Sequence, residues 1–335
     1  MRAAMNAITR APQGSPPATA QPGPTQTWKG LKICSDLDFK GLTWSDGLET
    51  GERDPFALAL NISGSFEGSA GWANLSTNFD GQGMSMGLLN QNLGQGTLQP
   101  MWSEMRRGHA ALMGSVFSAA NLKSLNKMID KWEAQTRVAA LNINDFGYSE
   151  LDEPLVIASE LSIDPLELQE VTTALLARNQ ESVTWAKITL FLKSKFKTDW
   201  SKELKSLAVS APYRSIQVRR AEALHAKTMD LMNVYKMSEL RSYLFFFDIV
   251  VQNGGISSAV RERYTAWLKT GGVATEKQKL TKLLELRLTA VKAQYVGDVR
   301  ARKMAILNGA GVVHGDKRDF AKEFCVDLGQ KLFMN

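Results

Sequence analysis

Residues 244–251 read Leu-Phe-Phe-Phe-Asp-Ile-Val-Val, in the middle of a stretch from Ser238 to Gln252 whose apolar residues recur at helical spacing and cover nearly every side. A surface helix carries one apolar stripe and a polar back. A helix that is apolar nearly all round has no face to give to water and belongs at the centre of a helical protein. Apolar spacing of three and four residues predicts the surrounding helices at Met101–Arg107, Leu122–Arg137, Pro165–Asn179, Val183–Phe196, Ile216–Tyr235, Glu276–Gln294 and Asp319–Leu332. The chain has 335 residues, 44% of them hydrophobic, which is enough to bury a large core. Between Trp72 and Thr97 the composition turns to Gly, Asn, Gln and Ser with short apolar alternations, the pattern of small strands and loops. The expected fold class is therefore mainly α (α+β), with one small β section. Residues 11–26 hold five prolines and almost no apolar bulk. Burial cannot offset the entropy of ordering them, so 1–27 is expected to be a disordered leader ahead of a globular unit at 28–335.

Charge and composition narrow the function. Forty Lys and Arg against 34 Asp and Glu give a net charge of +6, which favours an anionic partner. The basic residues are scattered along helices, and neither a zinc finger nor an RNA-recognition motif is present, so nucleic acid is not the expected partner. Lipid head groups and bacterial cell-wall polymer both remain open as the anionic partner. Cys34 and Cys325 are the only cysteines, and His109, His225 and His314 lie far apart, so no metal and no cofactor is expected. A disulfide is open from sequence, with two reduced core thiols the expected state. No run of about eighteen apolar residues is present, so no stable membrane insertion is expected. The N-terminus lacks the layout of a secretory signal. Synthesis in the cytoplasm, followed by export through a dedicated route, is the expected itinerary.

Two carboxylates carry the chemical suggestion. Glu67 closes the apolar segment from Phe56 to Phe66, for which Asp54 is the expected N-cap, Pro55 the first helical residue and Gly68 the stop. A carboxyl group there meets the negative end of the helix dipole and an apolar wall, which are expected to raise its pKa and keep it ready to donate a proton. Asp80 follows in the polar turn Phe79-Asp-Gly-Gln-Gly83, where water and backbone N–H groups favour the ionised form. One environment suits an acid and the other a base.

The stretch Asp80-Gly-Gln-Gly-Met-Ser85-Met-Gly-Leu-Leu, with Leu93-Gly-Gln-Gly-Thr97 downstream, resembles the chitosanase branch of the lysozyme superfamily, glycoside hydrolase family 46. In that branch a helix-terminal Glu precedes an Asp-Gly-Arg-Gly-aromatic-Thr strand and a Gly-Thr-Gly loop. Further segments are similar in the same order: Ser242–Gly255 to the family's central helix, then Leu284–Arg287 and Val299–Gly309 to two later segments. The similarity is a series of scattered matches over roughly residues 50–315. It implies a two-lobed lysozyme-like fold, with a smaller lobe about 50–100 that holds the β section and a larger helical lobe about 101–335. It also implies Glu67 as general acid, Asp80 as general base and Ser85 as the hydroxyl that orients water, in a mechanism that inverts the sugar. Gln82, Asn90, Gln95 and Thr97 fall where substrate would lie. Departures are visible too. Gln82 stands for the family's arginine, Ser85 for threonine and Asn253 for histidine, and Gly96-Thr97-Leu98-Gln99 lacks the loop aspartate.

That aspartate helps hold cationic chitosan, so peptidoglycan glycan strands are the expected substrate and the expected activity is muramidase-like cleavage of β-1,4 linkages. A phage lysin released by a holin, or an exported antibacterial effector acting in the periplasm or at the cell wall with an immunity protein or secretion carrier as partner, would suit such a chain. Three alternatives stand beside this reading. One is a chitosanase. Another is a non-catalytic module that binds cell-wall glycan. The third is a serine hydrolase, because Gly83-Met84-Ser85-Met86-Gly87 fits the Gly-x-Ser-x-Gly elbow, with Asp248 and His314 downstream in the right order.

Overall fold

The computed structural model describes residues 27–28, 34, 37–136, 179–271 and 274–334. Among them the protein is mainly helical. The helices are α1 Thr50–Glu67, α2 Gln99–Gly108, α3 Ala110–Val116, α4 Ala119–Thr136, α5 over 179–189, α6 Thr198–Val209, α7 Ala211–Tyr235, α8 Leu240–Asn253, α9 Ser258–Lys269, α10 Glu276–Leu288, α11 Val296–Asn308 and the short α12 Phe320–Phe324. The strands are short and antiparallel. Thr27–Trp28 (β1) pairs with Phe333–Met334 (β9), and a three-stranded sheet runs in the order β2 Leu75–Ser76, β3 Ser85–Met86, β4 Gln91–Asn92. Hairpins β5 Phe191–Leu192 with β6 Lys195–Phe196, and β7 Ala310–Val313 with β8 Asp316–Asp319, complete the set. No helix among the described residues is long and apolar enough to cross a membrane.

Helix α8 is the buried axis its sequence demands. Leu240, Tyr243, Leu244, Phe245, Phe246, Phe247, Ile249 and Val250 are all buried, and α1, α7, α10 and α11 pack around them. Burying a helix leaves its first N–H groups without water. Here a neighbouring helix supplies the missing acceptor. Glu276, at the start of α10, accepts from the backbone N–H of Ser238 (2.9 Å) and Glu239 (2.8 Å) and from the Ser242 hydroxyl (2.6 Å), and it pairs with Lys331.

Apolar side chains gather in two clusters. One holds α1, α8, the later part of α7, α10 and α11. The other holds Met84, Met86 and Leu93 of the β section with α2 to α6 and the first turns of α7. Helix α7 contributes Tyr213 and Ile216 to the second cluster and Val218 onward to the first. The β section is split likewise, since Leu88 joins the first cluster and Met86 the second.

Several boundaries differ from expectation. Helix α1 starts at Thr50, because Glu49 and Glu52 form a reciprocal capping box that extends it upstream, leaving Asp54 and Pro55 inside. The helix expected at Val183–Phe196 ends at residue 189, and its apolar continuation folds back as the β5–β6 hairpin. The stretch Glu276–Gln294 is helical only to Leu288, and Asp319–Leu332 only over Phe320–Phe324. Helices α3, α6, α9 and α11 lie outside the predicted set. The leader 1–26 and most of Pro165–Asn179 lie outside the described residues. The cysteines are also corrected: Cys34 and Cys325 are exposed and form a disulfide with Cα atoms 5.3 Å apart. Pairing of β1 with β9, and of the Cys34 N–H with the Phe324 carbonyl (2.9 Å), brings the first and last described segments together there.

Candidate functional site

The site is built where α1 runs out. Gly68 follows Glu67, and a Cβ at Gly68 would meet the Asn74 amide at 2.5 Å and displace it from its bond with the Ala70 N–H, so glycine lets the helix stop close against the loop that enters the sheet. Glu67 is thereby left at the helix end with its side chain 21% exposed. One carboxylate oxygen accepts from Arg302 Nη1 at 2.7 Å and the other from Asn90 Nδ2 at 3.2 Å. The expected apolar wall is in fact a guanidinium. Asn90 also donates to the Glu67 backbone carbonyl at 3.2 Å, from a left-handed backbone (φ 51°) that closes the turn between β3 and β4.

Behind Glu67 the charges alternate. Arg302 bonds Asp248 through Nη2 (2.6 Å) and Nε (3.3 Å), Lys303 Nζ donates to the same carboxylate, and Lys303 reaches Gln252 Oε1 at 2.9 Å. Asp248, Arg302 and Lys303 are buried. Two carboxylates and two cations sum to zero, which is what allows such a cluster to exist in an apolar interior. Burial would raise the pKa of Asp248. The adjoining Arg302 and Lys303 outweigh it and hold the carboxyl well below its usual range. Arg302 is also oriented by packing, with its guanidinium carbon 5.1 Å from the Phe66 ring centroid while Arg318 stands 5.2 Å from the same centroid.

Asp80 is placed differently. It is exposed on the loop joining β2 to β3, where its Oδ1 accepts from the Gln82 N–H at 3.1 Å. Asn78 accepts from the Gly83 N–H at 2.6 Å and holds the loop's shape. Phe79, next to Asp80, is 80% exposed. Ser85 is buried on β3, opposite Ser76 on one side and Asn92 on the other.

The amides expected to line the substrate path make their bonds largely within the β section. Gln95 Oε1 accepts from Asn92 Nδ2 at 2.6 Å, Thr97 Oγ1 from the Asn92 N–H at 2.9 Å, and the Gln82 carbonyl from the Gly94 N–H at 3.0 Å. Glu67, Asn90, Arg302, Asp248 and Lys303 thus form one connected group, while Asp80, Gln82, Ser85, Gln95 and Thr97 belong to the adjoining sheet and its loops.

Aromatic and basic residues near the sheet are committed to packing and ion pairs. Trp72 and Trp102 are buried, and Trp185 packs edge-on to Trp102 and Trp200 while donating to Ser124 Oγ at 3.1 Å. Arg106 is committed to Asp130 (2.5 Å) and Glu133 (2.7 Å). Ser85, Asp248 and His314 are not brought together as a triad: Asp248 is bound by Arg302 and Lys303, His314 is paired with Asp298 at 2.5 Å on the exposed β7–β8 turn, and Ser85 is followed by strand β4 rather than directly by a helix. Among the described residues no group of three or more His, Cys, Asp or Glu is arranged to hold a metal.

Arg302 and Lys303 were missed as site residues from sequence. One signal was available: Asp248 is a lone acid in an otherwise apolar helix, and a buried acid requires a cation from elsewhere in the chain. No protein-family model matches the chain, and no curated protein matches it in sequence.

Proposed function

We propose that the protein is a glycoside hydrolase of two-lobed, lysozyme-like architecture that cleaves β-1,4-linked amino-sugar strands, with bacterial peptidoglycan as substrate. The observation that carries this reading is the difference between its two carboxylates. Glu67 is partly open to solvent at a helix end and bonded to the buried Arg302, and Asp80 is exposed on a loop of the neighbouring sheet, where its Oδ1 accepts from the Gln82 N–H. Two apolar clusters joined through α7 and the β section support a division into lobes with Glu67 at the junction.

In this mechanism Glu67 protonates the departing glycosidic oxygen. Arg302 and Asn90 hold the carboxyl in place, and Asp248 anchors the guanidinium from behind through two bonds. Asp80, with the Ser85 hydroxyl, activates water on the opposite face of the sugar, and inversion requires the carboxyl groups to stand about 6.5–9.5 Å apart when substrate is bound. The substrate assignment rests on charge. Residues 81–103 contain no Asp, Glu, Lys or Arg, whereas a cleft for cationic chitosan would be lined with carboxylates. The disulfide suits an oxidising compartment such as the periplasm.

The test is a side-by-side digestion of purified peptidoglycan and deacetylated chitosan by the wild type and Glu67→Gln. Reducing ends should be released from peptidoglycan, with α configuration by NMR, and Glu67→Gln should be slower by about 10²–10⁴-fold while still binding the glycan. Faster release from chitosan would reassign the substrate. Cleavage of neither polymer, with binding intact, would make the protein a glycan-binding module.

A further inference from the structure

Residues 187–197, which close α5 and form the β5–β6 hairpin, contain Lys187, Lys193, Lys195 and Lys197 and no acidic residue. All four lysines are exposed. Among them stand Ile188 and Leu192, 74% and 67% exposed. The hairpin is well built despite this exposure. Phe191 and Phe196 pack with ring centroids 4.7 Å apart, and Lys197 Nζ donates to the Thr189 carbonyl at 2.6 Å, tying the second strand to the helix end. Its two-residue turn is Lys193-Ser194, with φ of 48° and 64°. Asn-Gly adopts that turn at much lower strain. A lysine and a serine thus occupy left-handed positions at an exposed tip.

We propose that this hairpin docks the protein on an anionic lipid bilayer, with Ile188 and Leu192 entering the interface and the lysines meeting lipid phosphates. The surface is a protruding tip, the shape a bilayer accepts and a concave ligand site is not. Its cations sit on long flexible stems that can bury their methylenes while the ammonium groups stay at headgroup level. Lysine is a strongly hydrated point charge with no fixed fork, which suits laterally mobile phosphates better than one shaped acidic partner. This surface lies on different elements from Glu67, and the inference does not rest on the proposed hydrolase activity.

Sedimentation of the full-length protein with large unilamellar vesicles tests it. Binding to vesicles of phosphatidylcholine mixed with phosphatidylglycerol is expected at low salt, falling as salt rises, with little binding to phosphatidylcholine alone. Each lysine near an anionic surface contributes about fivefold in partitioning, so Lys187→Glu, Lys193→Glu and Lys195→Glu combined should lower binding by at least about a hundredfold. Ile188→Ser with Leu192→Ser, which leaves the charge unchanged, should lower it by roughly tenfold, consistent with lost apolar burial. The same charge change at Lys123, Lys277 and Lys317, also exposed, should leave most binding intact. All substituted side chains are exposed, and unchanged thermal melts would show that the variants fold. Equal loss in the control triple variant would mean that net charge alone drives binding and would overturn the proposal. So would absence of binding to anionic vesicles at low salt, which would leave the basic hairpin to an acidic protein partner.

Discussion

At the scale of single residues, the behaviour of Glu67 depends on Arg302, and that of Arg302 on Asp248. Asp248→Asn removes the charge that balances two buried cations and leaves Arg302 and Lys303 facing each other with only Glu67 to share. Breaking a buried pair in this way typically costs about 3–5 kcal/mol, far more than any exposed ion pair on this surface. Chemical denaturation should place the Asp248→Asn midpoint well below that of the wild type, and an unchanged midpoint would show that the cations find water. Arg302→Lys separates charge from geometry. It preserves the cation but loses the planar fork that spans Asp248 and Glu67 at once. Stability should fall modestly, and under the proposed hydrolase activity turnover on peptidoglycan should fall at least about tenfold. Equal turnover would mean that Glu67 needs only a nearby positive charge.

At the scale of elements, α1 and the β3–β4 turn are fitted to each other through Gly64. A glycine inside a helix ordinarily costs about 1 kcal/mol relative to alanine. At Gly64 a Cβ would overlap the Leu88 side chain and come within 3.1 Å of its carbonyl, so the sign should reverse. Gly64→Ala is expected to destabilise by about 1–3 kcal/mol and, by displacing Leu88, to draw Asn90 away from Glu67 and slow turnover. A stabilised Gly64→Ala would show that the turn moves freely. Glu276 offers a second case. Burial disfavours its ionised form, but Lys331, Ser242 and the N–H groups of Glu239 and Ser238 overcome this and bring its pKa from 4.5 down to about 2. A depressed carboxyl contributes stability that is fully present above pH 4.5 and is lost as pH falls from there toward 2. The contribution is about 2–3 kcal/mol, so Glu276→Gln should lower the neutral-pH stability by that order and flatten acid unfolding in that window. These elements also mark what was legible in the chain. The all-round apolar stretch in α8 identified the buried axis, and the Gly- and Asn-rich run identified the β section, because both signals are local. The hairpin at 191–196 is hidden in the sequence because Leu190, Phe191, Leu192 and Phe196 satisfy either a helical or a strand period, and the tight Lys193-Ser194 turn lacks the glycine that announces one. At the site, Glu67 at the end of α1 was visible from its apolar run and the following glycine. Arg302 was not, since its partners lie 54 and 235 residues away in sequence.

At the scale of the whole molecule, the first and last described segments close on each other beside the first apolar cluster. The short β1–β9 pair cannot hold them alone, since an isolated two-stranded ribbon is marginal in water. The Cys34–Cys325 bond adds a covalent clasp across 291 residues of sequence, and a cross-link stabilises mainly by restricting the unfolded chain, typically by about 2–4 kcal/mol. Leu332 and Phe333, just beyond the clasp, are buried in the same cluster as α8, so losing the closure should loosen the packing on which α11 and its Arg302 rest. The expected result is a fall of several degrees in melting temperature when the protein is reduced, and a Cys34→Ser, Cys325→Ser variant that melts at the reduced temperature with or without reductant. The proposed glycan cleavage should survive reduction at low temperature, because neither cysteine is bonded to Glu67 or its partners, and fail at a lower temperature than in the oxidised protein. A melting temperature indifferent to reductant would mean that β1, β9 and the buried Leu332 and Phe333 hold the ends unaided.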